Sequence, residues 1–156
     1  MLYFAYGSNL NLSDLNRWCR EKEERGDFLE FHSTGILRDF TARFTLFSNA
    51  RSGGVLDVVQ QPGLEVPGVL FTVARDDGWR LLDLKEGVPN YYVRANVDVS
   101  VEGEAEMVQA ITYTVAADRR QAHVVPHQHY VDVVCEGLNR WGLDDSHILN
   151  AVEDAA

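Results

Sequence analysis

The chain opens with an unbroken apolar run, Leu2-Tyr3-Phe4-Ala5-Tyr6, that reads as a buried strand ending at Gly7-Ser8-Asn9. Beyond it, Asn11 or Ser13 is placed to cap a helix whose apolar positions are Leu15, Trp18 and Cys19. The mixed charges of Glu21-Lys22-Glu23-Glu24-Arg25 predict the solvated end of that helix, with Gly26 as its C-cap. From Phe28 to Val73 aromatic and β-branched residues are punctuated by Gly35, Asn49, Gly53-Gly54, Pro62-Gly63 and Pro67-Gly68, a pattern that predicts several short antiparallel strands.

Residues 75 to 86 turn helical, with Asp76 and Asp77 near the positive end and Gly87 followed by Pro89 as the stop. Tyr91, Val93, Ala95, Val97 and Val99 then alternate on one face, and Glu106 to Val115 repeats the behaviour after a polar turn at Glu102-Gly103, which together predict a hairpin. Pro126 precedes a helix from about His127 through Tyr130, Val134 and Leu138 to Trp141, and Asp144-Asp145-Ser146 opens a short last one. Strands interrupted by single helices predict one α+β domain over residues 1–156, with a mainly antiparallel, barrel-like sheet and flanking helices rather than a doubly wound parallel sheet.

Composition narrows the function. The 156 residues are 46% hydrophobic, enough for one core, and the formal net charge of -10 argues against a nucleic-acid partner, which would need clustered Lys and Arg. The expected partner is therefore a small molecule. No apolar run approaches the roughly 18 residues of a membrane span, and the chain starts in a strand without a basic n-region, so a cytoplasmic protein without membrane attachment is expected. A monomer is the default and a homodimer the alternative. Cys19 and Cys135 lie far apart in helical segments, which favours structural burial over redox, catalytic or zinc chemistry.

Two stretches carry candidate chemistry. At Tyr6-Gly7-Ser8-Asn9-Leu10 a glycine lets the backbone approach a ligand while a helix start leaves N–H groups to bind a carboxylate or oxyanion; an ordinary capped turn explains the same residues. In Leu82-Asp83-Leu84-Lys85-Glu86-Gly87, Asp83 reads best as a structural or surface acid. Glu86, at the negative end of a helix dipole, would have its pKa pushed upward if buried, which suits a proton shuttle near neutral pH. His123, His127 and His129 lack the spacing of a metal site, so no metal or other cofactor is expected, and they read as surface or capping residues.

Taken together, Tyr3-Phe4-Ala5-Tyr6-Gly7-Ser8-Asn9-Leu10, Gly68-Val69-Leu70-Phe71, Leu82-Asp83-Leu84-Lys85-Glu86-Gly87, Tyr92-Val93-Arg94-Ala95-Asn96-Val97 and Pro126-His127-Gln128-His129-Tyr130 resemble the γ-glutamylcyclotransferase-like family in content and order, nearly end to end. The resemblance implies a compact mixed β-barrel with flanking helices and a Tyr6–Leu10 loop that holds a γ-glutamyl group. It implies Glu86 as catalytic acid/base, in a reaction that releases an amine or amino acid and leaves 5-oxoproline. Tyr92 and Tyr130 are expected to line the pocket beside that loop; Tyr91 and Arg94 are further candidates, although Tyr91 and Tyr92 cannot both face inward. The one departure is His127, at a position where a small hydroxyl residue is expected, so the pocket floor or the substrate preference is where this chain would differ. The rival expectations are a non-catalytic carboxylate-binding protein on the same scaffold and an amidohydrolase that uses water as the nucleophile.

Overall fold

The computed structural model describes residues 1–154; residues 155 and 156, counted in the domain expected from the sequence, lie outside the described residues. Among the described residues, five strands and four α-helices follow one another as β1 (Leu2–Ala5), α1 (Leu12–Glu21), β2 (Leu29–Ser48), β3 (Gly53–Val73), α2 (Gly78–Glu86), β4 (Tyr92–Val99), β5 (Val108–Val115), α3 (Gln128–Arg140) and α4 (Ser146–Glu153). The strands form one sheet in the order β2-β3-β1-β5-β4. All neighbours are antiparallel except β1 and β5, which pair in parallel at Leu2 with Ala110 and Tyr3 with Ile111.

The α+β architecture agrees with the sequence pattern, but the sheet is not closed and the expected barrel is not confirmed. The sheet curls until its edges meet only at one isolated bridge, where Ile36 and Ser100 exchange backbone hydrogen bonds of 2.8 and 2.9 Å. A closed barrel needs a continuous ladder between its edge strands.

The region expected to hold several short strands is instead one long hairpin of a 20-residue and a 21-residue strand. Its interruptions are absorbed as register shifts between Phe31 and Ser33, Arg38 and Phe40, and Phe44 and Leu46, which bend the ladder without ending it. Gly68, read as part of a turn, is a strand residue: a side chain there would run into the Ala5 carbonyl and the Phe4 ring, so glycine is what allows β1 to lie against β3.

Helix ends follow local chemistry. Asn11 caps α1 by accepting the Asp14 N–H at 3.2 Å. The left-handed residue after α1 is Glu23 (φ 57°) rather than the expected Gly26, whose missing side chain instead makes room for Asn16. Gly87 closes α2 in the left-handed conformation (φ 66°), its N–H donating to Leu84 O at 3.2 Å while Val88 N–H donates to Asp83 O at 3.0 Å. Of the two acids expected to favour the start of α2, Asp77 is spent on Arg75, at 2.9 Å. The core is one cluster that includes Phe4, Phe44, Phe71, Leu82, Val134 and Leu138.

Candidate functional site

The turn after β1 is a single 3-10 turn, Ser8–Leu10, and it is held from both sides. Asn11 Nδ2 donates to Val133 O at 3.1 Å, and Trp141 Nε1 donates to Leu10 O at 2.8 Å. Gly137 lets α3 press directly on the Leu10–Asn11 backbone, since a Cβ there would stand 2.8 Å from Asn11 N. Within the turn, Leu10 N–H donates to Gly7 O at 3.1 Å and Asn11 N–H to Ser8 O at 3.0 Å. The N–H groups of Gly7, Ser8 and Asn9 have no backbone acceptor among the described residues.

Those groups border a cavity of about 630 Å³. Tyr6, Gly7, Ser8, Asn9, Glu86, Tyr92 and Tyr130 all line it. Leu10 does not: its side chain is buried in the core and its carbonyl and N–H are both spent, so it anchors the turn from behind. Tyr91 and Tyr92 both border the cavity, Tyr91 half-exposed and Tyr92 buried; Tyr91 precedes β4, so the alternation expected to keep the two apart does not govern it. Arg94 lies outside the cavity lining, paired to Asp83 through Nε at 2.8 Å and Nη2 at 2.7 Å.

Glu86, the last residue of α2, presents a partly buried carboxyl whose Oε1 accepts from Asn9 Nδ2 at 3.0 Å. The same amide donates to Tyr3 Oη at 2.9 Å, and Asn9 Oδ1 is buried without a hydrogen-bond partner among the described residues. Burial raises the pKa of Glu86, against the lowering influence of Lys85, the Asn9 hydrogen bond and Arg51. Burial likewise lowers Lys85, partly offset by the neighbouring Glu86. Asp83, three residues earlier, is committed elsewhere: it accepts from Arg94 and, at 2.7 Å, from Tyr113 Oη.

The tyrosines divide by what their hydroxyls do. Tyr6 donates to Tyr113 O and Tyr92 to Leu56 O, each at 2.6 Å, so both offer the cavity ring surface rather than a free donor. Tyr130 Oη instead accepts the Leu56 N–H at 3.2 Å, and its own proton has no acceptor among the described residues. Burial pushes its pKa up to about 12, which keeps it protonated near neutral pH.

Tyr3, Lys85 and Arg51 are among the lining residues that received no role from the sequence. Tyr3 is masked by its apolar strand, Lys85 by the more conspicuous Glu86 beside it, and Arg51 by a turn. Arg51, in the turn between β2 and β3, pairs with Asp14 of α1, and only the tertiary fold brings them together. His127 lies off the cavity lining; its Nδ1 accepts the His129 N–H at 3.0 Å and caps α3, so the departure from the family pattern falls on a helix cap. Cys19 is buried and Cys135 partly so, and burial raises both thiols above their usual pKa.

The partly buried Glu86 carboxyl and the N–H groups of Gly7, Ser8 and Asn9 border one cavity of a size that suits a small molecule. A family model described as "Gamma-glutamyl cyclotransferase, AIG2-like" matches residues 3–132. Curated gamma-glutamylcyclotransferases of Bos taurus and Homo sapiens are 30% and 29% identical to the chain, covering 97% and 91% of it and 78% and 72% of their own lengths. A solved structure titled "Gamma-glutamyl cyclotransferase" superposes with a TM-score of 0.80 at 26% identity, over 96% of this chain and 85% of that one. The chain belongs to the AIG2-like gamma-glutamyl cyclotransferase family and is an enzyme with that family's general activity. Among the described residues no helix is long and apolar enough to cross a membrane.

Proposed function

We propose that the chain cleaves a γ-glutamyl amide by cyclisation, releasing an amine or amino acid and 5-oxoproline, with Glu86 as the group that moves the proton. The observation that carries this reading is the Glu86 carboxyl held at 3.0 Å by Asn9 on the wall of the cavity that Gly7, Ser8 and Asn9 border.

The substrate brings its own nucleophile, because the α-amine of a γ-glutamyl group lies within reach of its γ-carbonyl, and proximity replaces an enzyme nucleophile or a cofactor. Glu86 as carboxylate takes one proton from the α-ammonium, and the freed nitrogen bonds to the carbon of the γ-carbonyl. The carbonyl oxygen becomes an oxyanion. Glu86 as carboxylic acid then returns that proton to the departing nitrogen as the C–N bond breaks. The ring nitrogen sheds its second proton to water, from which the released amine takes its own, so charge and protons balance.

The N–H groups of Gly7, Ser8 and Asn9 suit the oxyanion or the substrate's α-carboxylate, and Tyr130 supplies a neutral donor. Tyr6 and Tyr92 wall the pocket, and Leu10 supports the turn from the core. The test is a panel of γ-glutamyl amino acids and γ-glutamyl amines incubated with the protein, with products identified by mass spectrometry. Stoichiometric 5-oxoproline and free amine is the expected result; glutamate in its place would assign hydrolysis by water, and no product from any member would overturn the reading.

A further inference from the structure

Arg51 lines the cavity and ties three elements of the fold together. It sits in the turn between β2 and β3, where its N–H donates to Ser48 Oγ at 3.2 Å. Its guanidinium reaches to α1 and holds both carboxyl oxygens of Asp14, at 3.1 and 2.6 Å. The same group lies over the Tyr130 ring of α3, 5.4 Å from its centroid. The pair is enclosed, the Arg51 and Asp14 side chains being 14% and 6% exposed.

A guanidinium suits that place because it can grip a carboxylate with two N–H bonds while its flat face covers an aromatic ring; an ammonium keeps the charge but not the face. An enclosed ion pair contributes little net stability, because desolvation offsets most of its attraction. Geometry is what this one supplies to the cavity wall.

We infer that Arg51 is a positioning residue for the reaction: anchored by Asp14, it holds the Tyr130 ring so that the hydroxyl proton is presented to the bound γ-glutamyl group. The inference rests on the reading of Tyr130 as a substrate contact. The Tyr130 oxygen is fixed on one side by the Leu56 N–H, and a Cβ built on Gly7 would lie 3.8 Å from it, so the hydroxyl faces the glycine turn. Without the guanidinium the ring loses the surface that keeps it from leaning away. The turn carrying Asn49 and Ala50, which also line the cavity, loses its tie to α1.

The test is a double-mutant cycle of Arg51→Met and Tyr130→Phe, with KM and kcat measured on a γ-glutamyl amide that the wild type turns over and melting temperatures recorded alongside. Arg51→Met is expected to raise KM about tenfold with kcat changed less than threefold, and to change KM less than about threefold when Tyr130 is already Phe. A full-sized loss in the Tyr130→Phe background overturns the inference, since the two residues would then act separately. Arg51→Lys guards against simple unfolding: it is expected to keep the melting temperature while still raising KM, and a wild-type KM would overturn the claim that the planar face matters. Should Tyr130→Phe alone keep a wild-type KM while Glu86→Gln is inactive, this inference falls and the cyclisation reading stands.

Discussion

At the scale of single residues, the protein concentrates its unusual electrostatics at Glu86. Burial raises its pKa, and Lys85, Asn9 and Arg51 limit the rise, so the carboxylate required to start the reaction forms only above the ordinary range for a glutamate. The kcat/KM profile is therefore expected to rise with pH on a limb lying above the normal Glu value. Lys85→Met, which removes a charge that favours the anion, should move that limb to higher pH, and an unmoved limb would assign it to another group. Linkage has the opposite sign for stability. With the folded pKa above the unfolded one, the benefit of a neutral Glu86 is full at low pH and is lost as pH rises through the folded value. A site built this way sacrifices some stability for function. The position of Glu86 before the stop at Gly87 and Pro89 was legible in the sequence, and the family resemblance set it beside the Tyr6–Leu10 loop; its hydrogen bond to the Asn9 side chain, 77 residues away, was not legible, because no local pattern encodes a contact across the fold.

At the scale of elements, the turn after β1 and the end of α2 are the parts that must be held. Gly87 does this for α2 at φ 66°, with Tyr91 Cδ2 only 2.7 Å from where a Cβ would stand. Gly87→Ala is expected to cost about 1 to 2 kcal/mol in denaturant unfolding and to lower turnover by shifting Glu86; an unchanged midpoint would show that the cap is not strained. The α2 stop at Gly87 was readable from sequence, since a left-handed glycine cap acts within a few residues. The long β2–β3 hairpin was misread as several strands because Gly35 and Pro67-Gly68 look like turns, whereas the partner strand carries the ladder through them. The end of α1 was misread for a related reason: Glu23 takes the left-handed conformation, while Gly26 lies beside the Asn16 side chain without a positive φ.

At the scale of the whole molecule, the same sheet supports the cavity on one side and a buried ionic knot elsewhere. Asp57 is fully buried on β3, where it accepts from Thr45 Oγ1 at 2.9 Å, Val115 N–H at 3.0 Å and Arg120 Nε at 2.6 Å, joining β2, β3 and β5. An isolated Asp in a strand of valines offers no hint of those partners. Asp57→Ala leaves two buried donors and a guanidinium uncompensated, and is expected to cost about 3 kcal/mol by denaturant unfolding; a loss under about 1 kcal/mol would show that the knot is dispensable. The α+β class and the family were legible because strand, turn and helix signals recur in order along most of the chain. Barrel closure was not, because it depends on how far a bent hairpin curls. The central claim remains that one carboxyl moves the proton, and turnover of a γ-glutamyl amide by Glu86→Gln measures it most directly. In Glu86→Gln, 5-oxoproline formation is expected to fall about a thousandfold with the melting temperature unchanged or raised, and 5-oxoproline produced at the wild-type rate would show that Glu86 does not move the proton.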